Sequence, residues 1–87
     1  MRRVTVLFFG EVQGVGFRRE AQRKALELKI TGSIQNCQDG SVQATMEGNM
    51  NAIFTLTRVL SSSFSLINIK MTFEPAIEGL QDFLILR

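Results

Sequence analysis

Apolar and polar residues in this chain switch between two periods, and the switches mark out its elements. Val4, Val6 and Phe8 alternate with Thr5, Leu7 and Phe9. Both sets are mostly apolar, which predicts a central strand covered on at least one side. Beyond it, Phe17, Ala21, Ala25 and Leu28 recur at spacings of four, four and three. That is one apolar stripe of a helix over residues 18–28. On its outer side, Glu20 with Lys24 and Arg23 with Glu27 set opposite charges four residues apart. Gly32 is expected to let the chain turn after this helix.

Ser33 to Asn36 and Ser41 to Glu47 read as two strands of a hairpin, joined around Cys37-Gln38-Asp39-Gly40. Asp-Gly favours such a turn because both residues tolerate unusual backbone angles. Alternation puts Val42, Ala44 and Met46 toward a core, with Gln43, Thr45 and Glu47 outward. Gly48 closes the strand. Asn49 or Asn51 caps a second helix in which Ile53, Leu56 and Leu60 are buried, and Ser61-Ser62-Ser63 ends it. From Phe64 to Phe73 the alternation returns, with Ile67, Ile69, Met71 and Phe73 on one face, until Pro75 breaks the strand. After a loop through Gly79, Phe83 to Leu86 makes a short last strand.

The order β-α-β-β-α-β plus a terminal strand predicts an α+β fold, the ferredoxin-like (split β-α-β) sandwich. An antiparallel sheet with both helices on one face is expected, with residues 1–87 as a single domain.

Between the first strand and the first helix lies Gly10-Glu11-Val12-Gln13-Gly14-Val15-Gly16-Phe17-Arg18. Three glycines in seven residues describe a backbone that bends sharply and approaches something closely. A helix N-terminus there offers unpaired N–H groups and the positive end of the helix dipole. Arg18 adds a planar, permanently charged fork suited to phosphate or carboxylate oxygens. The stretch reads as an anion cradle for a phosphoryl group. Two other phosphate loops fit poorly: a dinucleotide fingerprint needs a third glycine where Arg19 stands, and no lysine occurs before Lys24 to serve a P-loop.

Composition narrows the classes. A hydrophobic content of 45% and a charged content of 21% describe an ordinary globular chain. The net charge of +2 is too slight for a nucleic-acid stripe, although basic residues gather at Arg2, Arg3, Arg18, Arg19, Arg23 and Lys24. One cysteine and no histidine leave no internal disulfide and no zinc site. The N-terminal apolar run is too short for a signal peptide, and no stretch reaches membrane-spanning length. A cytoplasmic monomer with no nucleic-acid or membrane partner, no metal and no cofactor is expected.

The loop resembles the signature of the acylphosphatases, G-x-V-Q-G-V-G-F-R, and matches it at every fixed position. A second pattern of that family, G-x-x-x-N-x-x-D-G-x-V, is met by Gly32, Asn36, Asp39, Gly40 and Val42. The likeness covers the chain in length and layout, although its motifs lie in the first half. It implies hydrolysis of the mixed anhydride between a carboxylic acid and phosphate, with inorganic phosphate or sulfate as competing anions. It also implies that Arg18 is the essential arginine and Asn36 the asparagine that holds the attacking water. The phosphate loop would be Gln13, Gly14, Val15, Gly16, Phe17 and Arg18.

The residue inventory agrees with such a substrate. Without histidine, a cysteine–histidine pair or clustered carboxylates, strong acid–base or metal catalysis has no groups to use. An acyl phosphate needs neither, because its leaving carboxylate has a conjugate acid of pKa about 4. Cys37 reads as a small hydrophobe, Asp39 and Gly40 as turn residues, and Met46, Met50 and Met71 as core or near-core residues. Glu11 is expected to point away from the anion.

Two departures from the family stand out. Ser33 replaces a frequent aromatic, and a Gly-Pro after the second helix gives way to Ser61 through Phe64. The alternative is a non-catalytic anion-binding or regulatory domain of the same fold. Intact Asn36 argues against it, because a pure binder needs no water-positioning group. An RNA-binding sheet lacks its aromatics here, and a ferredoxin-like metal carrier its paired cysteines.

Overall fold

The computed structural model describes residues 2–75 and 82–86. Its elements are β1 (Arg2–Gly10), α1 (Phe17–Glu27), β2 (Thr31–Asn36), β3 (Val42–Gly48), α2 (Met50–Ser63), β4 (Leu66–Pro75) and β5 (Phe83–Ile85). The sheet order is β4-β1-β3-β2-β5, with both helices packed on it. The predicted ferredoxin-like α+β sandwich is therefore the fold. The predicted loop through Gly79 lies outside the described residues.

The four longer strands pair antiparallel as expected, but β5 runs parallel to β2, so the sheet is mixed. Strand polarity explains this. β4 runs opposite to β1, and β1 and β2 both run opposite to β3. A chain that reverses after β4 and adds to the free edge of β2 must run with β2. The ends of β1, β2 and β5 consequently lie at one end of the sheet, where α1 begins.

Burial follows the apolar pattern over most of the chain. Val4, Val6 and Phe8 of β1 pack with Phe17, Ala21 and Ala25 of α1 and with Ile53, Leu56 and Leu60 of α2. Phe17 meets Phe8 and Phe64 edge-to-face, each with ring centroids 5.0 Å apart. Phe64 stands in the two-residue connection from α2 to β4, so a core contact occupies the place of the missing Gly-Pro.

Three predicted details are corrected. First, β4 carries a register shift where Phe9 pairs with Asn68 but Gly10 with Leu66, leaving Ile67 as the extra residue of a bulge. Ile67 is 84% exposed and Phe73 is 44% exposed, while Leu66 takes the inward position beside Ile69 and Met71. Second, Glu47 is buried rather than outward, and it accepts a 3.0 Å hydrogen bond from Arg3 Nε, its cross-strand partner. Third, Arg23 bridges both Glu20 and Glu27, so Glu20 pairs with Arg23 and not with Lys24.

The turn after α1 also differs from expectation. Gly32 lies inside β2, where a Cβ would stand 1.8 Å from the Thr45 carbonyl oxygen. Close approach of two strands is what demands glycine there. The reversal is made instead by Lys29 at φ 59°, with Lys29 N bonded to Leu26 O and Ile30 N to Ala25 O. This is a Schellman ending with lysine in the left-handed position that glycine prefers. Relieving that conformation in Lys29→Gly is expected to stabilise the fold by about 0.5–1 kcal/mol, after the entropy glycine adds to the unfolded chain. A thermal melt should show a rise of a few degrees, given about 4–8 °C per kcal/mol in a domain of this size. An unchanged or lower Tm would show that Lys29 bears no strain.

At the start of α2, Asn49 is the cap, its side-chain oxygen accepting from Asn51 N at 2.8 Å. The helix ends with the Ser61-Ser62-Ser63 run, as expected, its last residue being Ser63. Ser61 and Ser62 donate their hydroxyls to Thr57 O and Arg58 O, which satisfies them inside the last turn.

Candidate active site

The loop between β1 and α1 is pinned at both ends by buried side chains. Val12 and Phe17 are buried, whereas Gln13, Gly14, Val15 and Gly16 are exposed. Phe17 therefore belongs to the core by its ring, and only its backbone can face the groove. Gly14 at φ 75° and Gly16 at φ 80° take the left-handed turn that presents this arc. Gly16 is also the N-cap of α1, and no side chain caps the helix. The backbone N–H groups from Gln13 to Arg18 make no hydrogen bond among the described residues. Six neighbouring donors at the positive end of a helix are left open to a ligand.

Beside them lies a groove of about 400 Å³ lined by Val12, Gly14, Gly16, Phe17, Arg18, Arg19 and Ile85. Arg18, half-buried in the first turn of α1, donates from Nη1 to Leu86 O at 3.5 Å. Leu86 N in turn donates to Ile34 O at 2.8 Å, so the end of β5 links Arg18 to β2.

Asn36 ends β2, two residues beyond buried Ile34 and on the same helix-covered face. It is exposed, does not line that groove, and its carboxamide makes no hydrogen bond among the described residues. The local bonding expected of a turn residue falls to Asp39 instead. Its Oδ1 accepts from Ser41 N at 2.9 Å and from Ser41 Oγ at 2.6 Å, and Cys37 N bonds Ser41 O across the turn. The side-chain bond from Ser41 and then its backbone bond hold the Asp39 carboxyl below its ordinary pKa. That support is present above the unfolded carboxylate pKa and is lost as pH falls through the folded one.

Glu11 is exposed and lines a separate hollow with Phe9, Asp39 and Ile67, not the Arg18 groove. Ser33, between Gly32 and Ile34, faces the side of the sheet opposite Asn36, so its departure from the family touches β2 packing rather than the loop. Cys37 is half-buried.

Two contacts were not anticipated from the sequence. Gln22 Nε2 donates to Phe83 O at 2.9 Å, fastening α1 to β5. Gln13 Nε2 donates to Cys37 O at 2.8 Å and to Ser41 O at 2.9 Å, fastening the loop to the hairpin turn beside Asn36. No periodicity announces either bond, because each joins residues far apart in the chain.

The acylphosphatase family model matches residues 4–84. The chain belongs to the acylphosphatase family. It is 40% identical over 63 residues to an acylphosphatase of Methanospirillum hungatei, covering 72% of this chain and 69% of that one. An acylphosphatase of Yersinia pseudotuberculosis is 46% identical over 50 residues, which cover 58% of this chain and 54% of the relative. The crystal structure of acylphosphatase from Bacillus subtilis superposes with a TM-score of 0.93 at 30% identity, over 100% of both chains. Family and fold together support an acylphosphatase hydrolase. No helix among the described residues is long and apolar enough to cross a membrane.

Proposed function

We propose that this chain hydrolyses the carboxyl–phosphate bond of small acyl phosphates, giving a carboxylate and inorganic phosphate. The observation that carries the proposal is the run of open backbone N–H groups from Gln13 to Arg18 at a helix N-terminus, beside the Arg18 guanidinium. In this reading those donors surround the phosphoryl oxygens. Arg18 offsets their charge with a fork that fits two oxygens at once. Asn36 holds a water in line with the breaking bond, accepting a hydrogen bond from it through its amide oxygen. Water oxygen bonds to phosphorus as the phosphorus–carboxylate oxygen bond breaks, and the bonding pair leaves on the carboxylate. The water's proton passes to a phosphoryl oxygen of the substrate.

Such a site supplies position and charge and little else, which suits phosphoryl transfer from a good leaving group. An alkyl or simple aryl phosphate expels a more basic oxygen and receives no help here. Activity is proposed to need no metal for the same reason.

Purified protein should therefore hydrolyse benzoyl phosphate with and without EDTA, turn over a simple aryl phosphate poorly, and be inhibited competitively by inorganic phosphate or sulfate. Loss of activity in EDTA that a divalent ion restores would overturn the mechanism. Phosphate binding without turnover of any acyl phosphate would instead leave a non-catalytic anion-binding domain.

A further inference from the structure

We propose that the Gln13 side chain is a positioning residue for this reaction, a strut that sets Asn36 against the phosphate loop. The inference rests on the proposed role of Asn36. Gln13 occupies the exposed part of the loop, yet its carboxamide turns away from the groove and spends both N–H bonds on the hairpin. An amide –NH₂ has two donors, and here each finds a different carbonyl. Those carbonyls belong to the residues that close the β2–β3 turn. Cys37 O also accepts from Gly40 N at 3.2 Å, and Ser41 O from Cys37 N at 2.8 Å. Gln13 thus grips the closing pair of the turn from outside, and Cys37 follows Asn36 directly in the chain.

Topology alone brings β1 and β2 to the same end of the sheet, but it leaves their tips free to differ in height. β3 lies between them, and the loop must cross its start to reach α1. Between the buried anchors Val12 and Phe17, the Gln13 carboxamide is the one hydrogen-bonded tie from loop to hairpin among the described residues. The phosphate would be held by backbone N–H groups of the loop, and the water by a side chain on the hairpin. In-line attack depends on the distance between the two, so a tie between their supports acts on the chemical step. It bears little on anion affinity, because the loop's own N–H groups are untouched by it.

The test compares wild type, Gln13→Met, Asn36→Ala and the double variant on benzoyl phosphate, with phosphate affinity and Tm measured on the same samples. Methionine keeps the length of the side chain, removes both donors and brings no charge near the anion. Gln13→Met is expected to lower kcat about tenfold to a hundredfold, the scale of a small misplacement of reacting groups, with phosphate Kd within about twofold of wild type. In the double variant kcat should fall no further than in Asn36→Ala alone, since a strut has nothing to position once Asn36 is gone.

Wild-type kcat in folded Gln13→Met would overturn the proposal. So would multiplying effects in the double variant, which would show Gln13 acting independently of Asn36 while leaving the catalytic reading intact. A large loss of phosphate affinity in Gln13→Met would overturn it too, because the side chain would then serve the cradle itself. Normal kcat in Asn36→Ala would remove both the proposal and the reading beneath it, and that single variant tells the two failures apart. If Gln13→Met melts early, kcat is read at a temperature where it remains folded, and the same criteria apply.

Discussion

Asn36→Ala is expected to lower kcat about a hundredfold to a thousandfold, roughly 3–4 kcal/mol, with KM and phosphate affinity close to wild type. The split follows from what each group is proposed to touch. Phosphate would be bound by the backbone donors of residues 13–18 and by Arg18, none of which alanine at residue 36 disturbs. A water in line with the breaking bond matters to the transition state and hardly at all to the bound substrate. Loss confined to kcat is the mark of such an interaction. Asn36→Asp should bind phosphate more weakly than the alanine variant, because it sets a negative charge near an anion.

A purely structural Asn36 makes the opposite forecast. An asparagine that built the hairpin would cost melting temperature when removed, and whatever remained folded would turn over normally. The bonding pattern already weakens that view, since Asp39 and Ser41 close the turn and the Asn36 carboxamide bonds nothing among the described residues. Measuring Tm, kcat and phosphate affinity on one sample of Asn36→Ala decides it. A lowered Tm with normal turnover would overturn the catalytic assignment.

Where side-chain periodicity governs structure, the sequence was readable. Val4, Val6 and Phe8 are buried in alternation, and Phe17, Ala21 and Ala25 form the helix stripe, because each pattern matches the period of its own element. Asn49 caps α2 because its side chain offers an acceptor where the first turn has free donors. What could not be read depends on pairing across the sheet. A bulge at Ile67 reverses which residues of β4 face inward before Ile69, and alternation within one strand holds no sign of it. Glu47 looks like any outward strand residue until Arg3 is found opposite. The parallel placement of β5 follows from the polarity of the other strands, which is known only once they are assembled.

At the site, the loop and Asn36 were found as motifs and the connections between them were not. Glycines, an arginine and a resemblance point to a cradle, and they enter Gln13 in it only as a member of the loop. In the structure its side chain is bonded to the hairpin, a tie that the motif does not announce. Phe17, in the same motif, has its ring in the core against Phe8 and Phe64. A linear motif reports which residues are near a ligand, and it does not separate backbone contact from side-chain support.

Arg18→Ala is expected to reduce kcat/KM on the order of a thousandfold, through both terms, because one guanidinium would meet phosphoryl charge before and during reaction. The backbone donors alone should still bind phosphate, although weakly. Arg18→Lys should recover little of the loss. An ammonium carries the same charge but cannot present two parallel N–H bonds to two oxygens. It also lacks the planar fork that lets one arm rest on Leu86 O while others face the groove. That contact joins the arginine to the residue that follows β5. Phosphate affinity and kcat measured together on the alanine and lysine variants test the point. A lysine variant with near-normal kcat and phosphate affinity would show that charge alone suffices, and the geometric part of the assignment to Arg18 would fall.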